Sequence, residues 1–192
     1  SGSTAFTITS NTSWTVSDNV GWLVVNPANG TENGAIIATY TENTNTTQRV
    51  GTITVIGGGI TRTVTVTQAA APFALTVSPP DQSVTNTSGS TTFTVTSNTS
   101  WTVSDDVTWL TVSPASGSGN GTLTATFQEN ITTSPRIGTI TVIGGGITKT
   151  VTVTQAAAPF ALTVSPSDQS VTNASGSTAF TITSNTSWTV SD

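Results

Sequence analysis

The stretch "SNTSWTVSD" occurs at Ser10–Asp18, Ser97–Asp105 and Ser184–Asp192, so Trp14, Trp101 and Trp188 recur at intervals of 101 − 14 = 87 and 188 − 101 = 87 residues. The same offset relates Trp22 to Trp109, Gly51 to Gly138 and Gln68 to Gln155, with no insertion or deletion between them. Residues 1–87 and 88–174 match at about three positions in four, and residues 175–192 repeat residues 1–18 without a difference. A period of 87 exceeds the roughly 20 to 45 residues of most solenoid units and is the size of a small independently folding domain. The chain therefore reads as beads on a string. Residues 1–71 read as a repeat lacking its first strand, 72–158 as a complete repeat, and 159–192 as the first strands of a third.

The fold class follows from how the apolar residues are spaced. About a quarter of the residues are threonine and only 7% are charged, a composition poor in helix formers and rich in a β-branched residue suited to pleated surfaces. Period-2 alternation marks strands. Phe73, Leu75 and Val77 define a first strand, with "SPPDQS" behind it as turn chemistry, and Phe93 and Val95 define the next. Leu110 and Val112 alternate with Trp109 and Thr111, while Leu123, Ala125 and Phe127 alternate with threonines. "GTITVIGGGITKTVTVTQ" reads as a hairpin about the triple glycine Gly144 to Gly146, where positive φ costs little. About seven short strands per repeat predict an all-β chain of tandem immunoglobulin-like sandwiches. The "AAAPFALTVSP" joint, short and marked by proline, predicts a semi-rigid array.

Parity assigns the tryptophans. Phe93, Val95, Trp101 and Val103 are all odd-numbered, so an extended segment points Trp101 inward with Phe93. The expected core therefore comprises Trp14, Trp101 and Trp188 with Phe93, Val95, Leu110 and Phe127. Trp22 and Trp109 share parity with a site that is Val24 in one repeat and Thr111 in the other. That places them on the less buried face, as possible ligand or chain-to-chain contacts, unless a strand-end tryptophan folds over the end of the core.

Residues 97–155, "SNTSWTVSDDVTWLTVSPASGSGNGTLTATFQENITTSPRIGTITVIGGGITKTVTVTQ", resemble a BACON domain. The resemblance rests on two tryptophans about eight residues apart, "WLTVSP" before a glycine-rich turn, "EN" and a Ser/Thr-rich stretch before an arginine, and the closing "TVTVTQ". Residues 10–68 match similarly, with Gln48 where the second repeat has Pro135. The resemblance implies an immunoglobulin-like accessory module of secreted or surface proteins in bacteria such as Bacteroidetes, for which carbohydrate binding has been proposed.

Several functions lack their usual residues. A net charge of −5 with four basic residues, Arg49, Arg62, Arg136 and Lys149, leaves no basic patch for phosphates, so no nucleic acid partner is expected. No apolar run reaches the roughly 18 residues of a membrane span, and no membrane insertion is expected. Without His or Cys there is no conventional triad or thiol nucleophile. Lys149 is matched by Arg62, so a lysine-dependent mechanism could not operate in both beads. The carboxylates mostly recur singly in turn-like contexts, and Asp105–Asp106 is matched by Asp18–Asn19; these are turn and cap residues. No catalysis, no cofactor and no metal are expected. Asn11, Asn98, Asn130 and Asn185 fit the Asn-x-Ser/Thr acceptor pattern, which arises by chance in such a composition.

What remains is a structural expectation: a segment of a long extracellular bacterial stalk or filament, whose partners are adjacent repeats or copies of the same chain, as a homopolymer or lateral bundle. The missing first strand and the unfinished third repeat predict a window cut from a longer array. In a variant of this reading the terminal strands complete a neighbouring chain's sandwich. The alternative is a carbohydrate-binding accessory module with glycan partners, using Trp22 and Trp109.

Overall fold

The computed structural model describes the whole chain, Ser1–Asp192, which divides into two compact units, Ser1–Phe73 and Ala74–Asp192. It is all-β, without a helix.

The second unit holds the complete repeat. Its strands are β8 (Leu75–Ser78), β9 (Asp81–Val84), β10 (Gly89–Ser97), β11 (Ser100–Asp105), β12 (Leu110–Ser113), β13 (Ser116–Ser118), β14 (Gly121–Phe127), β15 (Arg136–Gly144) and β16 (Ile147–Gln155). They form two sheets, β12-β14-β10-β8 and β13-β11-β15-β16-β9, in an immunoglobulin-like sandwich. Alternation decides which side chains meet between them. Phe93, Val95, Leu110, Leu123, Ala125 and Phe127 from one sheet and Trp101, Ile140, Val142, Val151 and Val153 from the other form one buried cluster. Outside, threonines stand opposite threonines, as in the Thr139–Thr152 and Thr141–Thr150 pairs of β15 and β16, the pairing that suits a solvated sheet face. The β15–β16 turn at Gly145 and Gly146 has φ of 57° and 76°. Both signs are those of a tight hairpin turn whose twist matches its strands, which explains two of the three glycines; at Gly144 a Cβ would lie 2.7 Å from Ser100 O.

Parity across "SNTS" places Trp101 inside by a route that includes a change of sheet. β10 and β11 belong to facing sheets, and the chain crosses between them at Asn98–Thr99. Ser97 Oγ holds the corner, donating to Ala74 O at 3.0 Å and accepting from Thr99 N at 3.1 Å. Because the bend carries the strand across the core, one parity stays inward on both sides.

Three expectations are corrected. The repeat has nine strands rather than seven, because Pro79 and Pro80, lacking N–H groups, divide the first strand in two and Ser116–Ser118 adds a short edge. The "DQS" expected as a turn lies in β9, which runs parallel to β16 with Gln82 opposite Val153. Phe73 lies outside the first strand and is exposed.

In the first unit, β1 (Gly2–Ile8), β5 (Gly34–Tyr40) and β3 (Leu23–Asn26) form one sheet. β4 (Asn29–Thr31), β2 (Ser13–Asp18), β6 (Arg49–Gly57) and β7 (Ile60–Gln68) form the other. Its strands include no counterpart of β8 or β9, the two parts of the divided first strand. Its buried cluster is smaller: Trp14, Val16, Leu23, Val25, Ile36, Ala38 and Ile53. Beyond the complete repeat, β17 (Leu162–Ser165) pairs with β18 (Thr181–Ser184) alone.

Candidate functional site

The inner tryptophan of each repeat lies in a seat made of glycine. Trp101 is 3% exposed and Trp14 4%. A Cβ on Gly117 would lie 2.3 Å from Trp101 Cζ2 and one on Gly121 2.9 Å from it; Gly30 and Gly34 stand in the same relation to Trp14. Trp101 Nε1 donates to Gly119 O at 2.8 Å, and Trp14 Nε1 to Glu32 O at 2.9 Å. A buried indole needs that acceptor, and the turn presents it by adopting positive φ, 67° at Gly119 but 57° at Glu32. A glutamate there holds a conformation that costs a residue with a Cβ about 1 to 2 kcal/mol. Glu32→Gly is therefore expected to stabilise the first unit by about 1 kcal/mol in denaturant titration.

Trp188, expected in the core beside these two, is 50% exposed. The turn and strands that enclose Trp14, β4 and β6, lie 15 to 43 residues after it in sequence. The segment that carries Trp188 follows β18, which pairs with β17 alone, and no second sheet covers its indole.

The outer tryptophans behave differently from a free platform. Trp22 and Trp109 are half-buried and sit just before β3 and β12. Arg49 Cζ stands 4.5 Å from the Trp22 ring centroid, and Arg136 Cζ 4.4 Å from that of Trp109, cation–π distances in both repeats. The Trp109 ring edge rests against Gly138, where a Cβ would meet Cζ2 at 3.2 Å. Here the strand-end tryptophan does fold over the end of the core.

Each arginine is fixed by the closing glutamine. Arg136 Nε donates to Gln155 Oε1 at 2.9 Å and Nη2 to Gln128 O at 2.7 Å. Gln155 is fully buried, and its Nε2 donates to Asn86 O, Thr87 O and Gln128 O at 3.1, 3.3 and 3.0 Å. Arg49 and Gln68 repeat the pair at 2.8 Å, with Arg49 Nη2 on Thr41 O and Glu42 O. Asn130, also fully buried, donates through Nδ2 to Ser134 O and Ala156 O, both at 2.9 Å, while Oδ1 accepts from Thr132 N at 3.1 Å and Thr132 Oγ1 at 2.7 Å. Asn43 does the same work with Thr47 O, Ala69 O and Asn45 N. Asn130 thus fits the glycosylation pattern yet has its amide enclosed and engaged at both ends.

Asp106 is a carboxylate whose proton affinity is perturbed. Its Oδ1 accepts from Thr139 N at 2.7 Å, and that backbone hydrogen bond holds its pKa below the ordinary value despite an opposing desolvation effect. A folded-state pKa below the unfolded one gives stability that is present above the unfolded value and lost as pH falls through the folded one. Acid titration of the chain should show this loss below about pH 4, and Asp106→Asn should remove it. The first unit already carries that amide, Asn19 Oδ1 on Thr52 N at 2.7 Å. No three carboxylates come together.

A family model described as viral BACON domain matches residues 1–71 and 74–158. The chain belongs to the BACON family. The recurring "EN", arginine and "TVTVTQ" of that resemblance are here Asn130, Arg136 and Gln155, the residues of the buried network. No curated protein matches. Among solved structures, domains 4–9 of the surface-layer protein SbsC are 23% identical, covering 86% of this chain and 26% of that one at a TM-score of 0.43. The Bacteroides ovatus GH5 xyloglucanase is 22% identical, covering 44% of this chain and 19% of that one at 0.42. The I9-I11 tandem of titin is 14% identical, covering 81% and 60% at 0.33. The chain spans a fifth to a quarter of the first two, and likenesses at these scores carry no argument about activity.

Proposed function

We propose that the chain is a spacer, a run of BACON beads that sets length and stiffness in a longer protein displayed outside the cell, as a stalk or filament. The observation that carries this reading is the arginine over each outer tryptophan. A sugar platform offers an aromatic face to solvent, whereas Arg49 and Arg136 each cover one face of the half-buried Trp22 and Trp109 rings. The recurrent polar side chains around them are also turned inward. Asn43 and Asn130 bind the first residues of the joints, Ala69 O and Ala156 O, which favours taut connections. The description of the matching family, viral, fits a particle's surface as well as a bacterial one.

The reading is tested by affinity electrophoresis in polysaccharide gels and by glycan arrays on the 192-residue chain. No retardation and no saturable binding are expected. Saturable binding abolished by Trp109→Ala, with the fold intact by circular dichroism, would overturn the spacer in favour of a carbohydrate-binding module. Electron microscopy of the native material should show beads in a row at an axial spacing of one domain.

A further inference from the structure

We infer that the complete repeat bears tension along the chain, and that the parallel pair β9–β16 is the clamp that resists it. The inference deepens the spacer reading and rests on it for its use, but its test is separate from the glycan tests of that reading.

It starts from where the chain enters and leaves the sandwich. β8 and β9 open the repeat and β16 closes it. Leu75, at the entry, pairs with Ser97 at the corner that leads to Trp101, and Trp101 pairs with Gly144 beside the β15–β16 turn. The entry therefore lies at the end of the sandwich where β16 begins. β9 then runs parallel to β16, from Asp81 opposite Thr152 to Val84 opposite Gln155, so the exit lies at the other end. A pull on the two ends of the chain draws β9 and β16 in opposite directions along their common axis. The evenly spaced bonds of a parallel pair are then strained together and must fail together. A pull that parts the same two strands from one end breaks them one after another, at lower force.

The clamp is reinforced where the load leaves. Thr152 N donates to Pro80 O at 3.1 Å and Ala156 N to Val84 O at 3.0 Å, the two ends of the ladder. Gln155 Nε2 adds bonds to Asn86 O and Thr87 O at 3.1 and 3.3 Å. Asn130 ties the residues that follow both strands, its N donating to Asn86 O at 2.7 Å and its Nδ2 to Ala156 O at 2.9 Å. Gln155 and Asn130 are fully buried, so water does not exchange with these bonds as they are strained. Val84 packs on the core from the same strand. The buried network thus has a use in a spacer that packing alone does not give it: it staples the first strand of the bead to the last.

The test is single-molecule pulling on the full chain, which has no cysteine of its own and can take one handle at a chosen thiol. Thr148→Cys, exposed near the start of β16, gives two directions in one molecule: end to end, and from the first end to the introduced thiol. In the second direction β9 and β16 are pulled from the same end. End to end, the second unit is identified by release of the roughly 80 residues from Leu75 to Gln155, about 280 Å when extended. Its force peak is expected to be at least about twofold higher end to end than in the second direction, because forced unfolding follows the barrier along the pulled path. Thermodynamic stability is the same in both, so it cannot produce the difference. Pro80 O and Val84 O both face β16, so by alternation Gln82 does too, while the Ser83 N–H faces solvent at the sheet edge. Gln82→Pro should lower the end-to-end peak to about half or less, and Ser83→Pro should leave it in place. Equal peaks in the two directions would overturn the inference, as would an end-to-end peak that Gln82→Pro leaves unchanged. A directional peak in a chain that also binds glycans saturably would remove the spacer reading and leave the clamp standing.

Discussion

Trp101→Ala is expected to destabilise the second unit by roughly 3 to 5 kcal/mol, enough to unfold most of a domain of this size. The indole is enclosed by both sheets, and its removal leaves a cavity that the glycine seat cannot fill, because Gly117 and Gly121 have no side chains to relax into it. Gly119 O also loses its donor. Trp101→Phe separates the two contributions. It keeps most of the apolar contact and forfeits the Nε1 hydrogen bond, so the expected loss is about 1 to 2 kcal/mol. Hydrogen exchange on the full chain reads the result element by element. Amides of β14 and β15 should lose protection while those of β5 and β6 in the first unit keep theirs. Protection unchanged in β14 and β15 would remove Trp101 from the core.

Trp101 also marks how far the sequence could be followed. Its inward direction was legible from parity alone, because β-strand periodicity survives a change of sheet when the bend crosses the core, as it does at Asn98–Thr99. The glycine seat was legible only as a glycine-rich turn. Nothing in "SGSGNG" states that an indole from fifteen residues earlier lies on it; that depends on β11 and β13 pairing Trp101 with Gly117. Trp188 shows the limit of arguing from identity: eighteen identical residues do not bury a side chain by themselves, because Trp14 is covered by β4 and β6, which lie outside those eighteen. The outer tryptophans show another. Parity placed Trp109 on the less buried face, but the arginine above it comes from a strand 27 residues later, a distance at which no local periodicity speaks. The recurrence of Arg49 and Arg136, of Gln68 and Gln155, and of Asn43 and Asn130 at the 87-residue offset was visible. Recurrence alone does not separate a binding site from a structural network; that Asn43, Asn130 and Gln155 are buried, with Arg49, Arg136 and Gln68 half-buried beside them, depends on packing that no local pattern states.

The second large effect concerns that network. Asn130→Asp changes one atom's chemistry without changing shape, and is expected to destabilise the second unit by about 3 kcal/mol or more at neutral pH. The Nδ2 that donates to Ser134 O and Ala156 O becomes an oxygen, so two carbonyls face a buried carboxylate. Desolvation and the opposed dipoles both disfavour the charged form. The substituted carboxyl's folded-state pKa is therefore raised above its unfolded value, and its penalty is relieved as pH falls through that raised value. Asn130→Ala removes the same donors without adding charge, at an expected cost of about 2 to 3 kcal/mol, because Ser134 and Ala156 lie at the rim where water can reach their carbonyls. The two variants should differ most near pH 7 and converge under mild acid, where protonation gives the substituted carboxyl an O–H donor for one of the two carbonyls. Denaturant midpoints measured across that pH range check it. A constant difference between the two variants would mean that the amide's donors are not what hold this end of the sandwich.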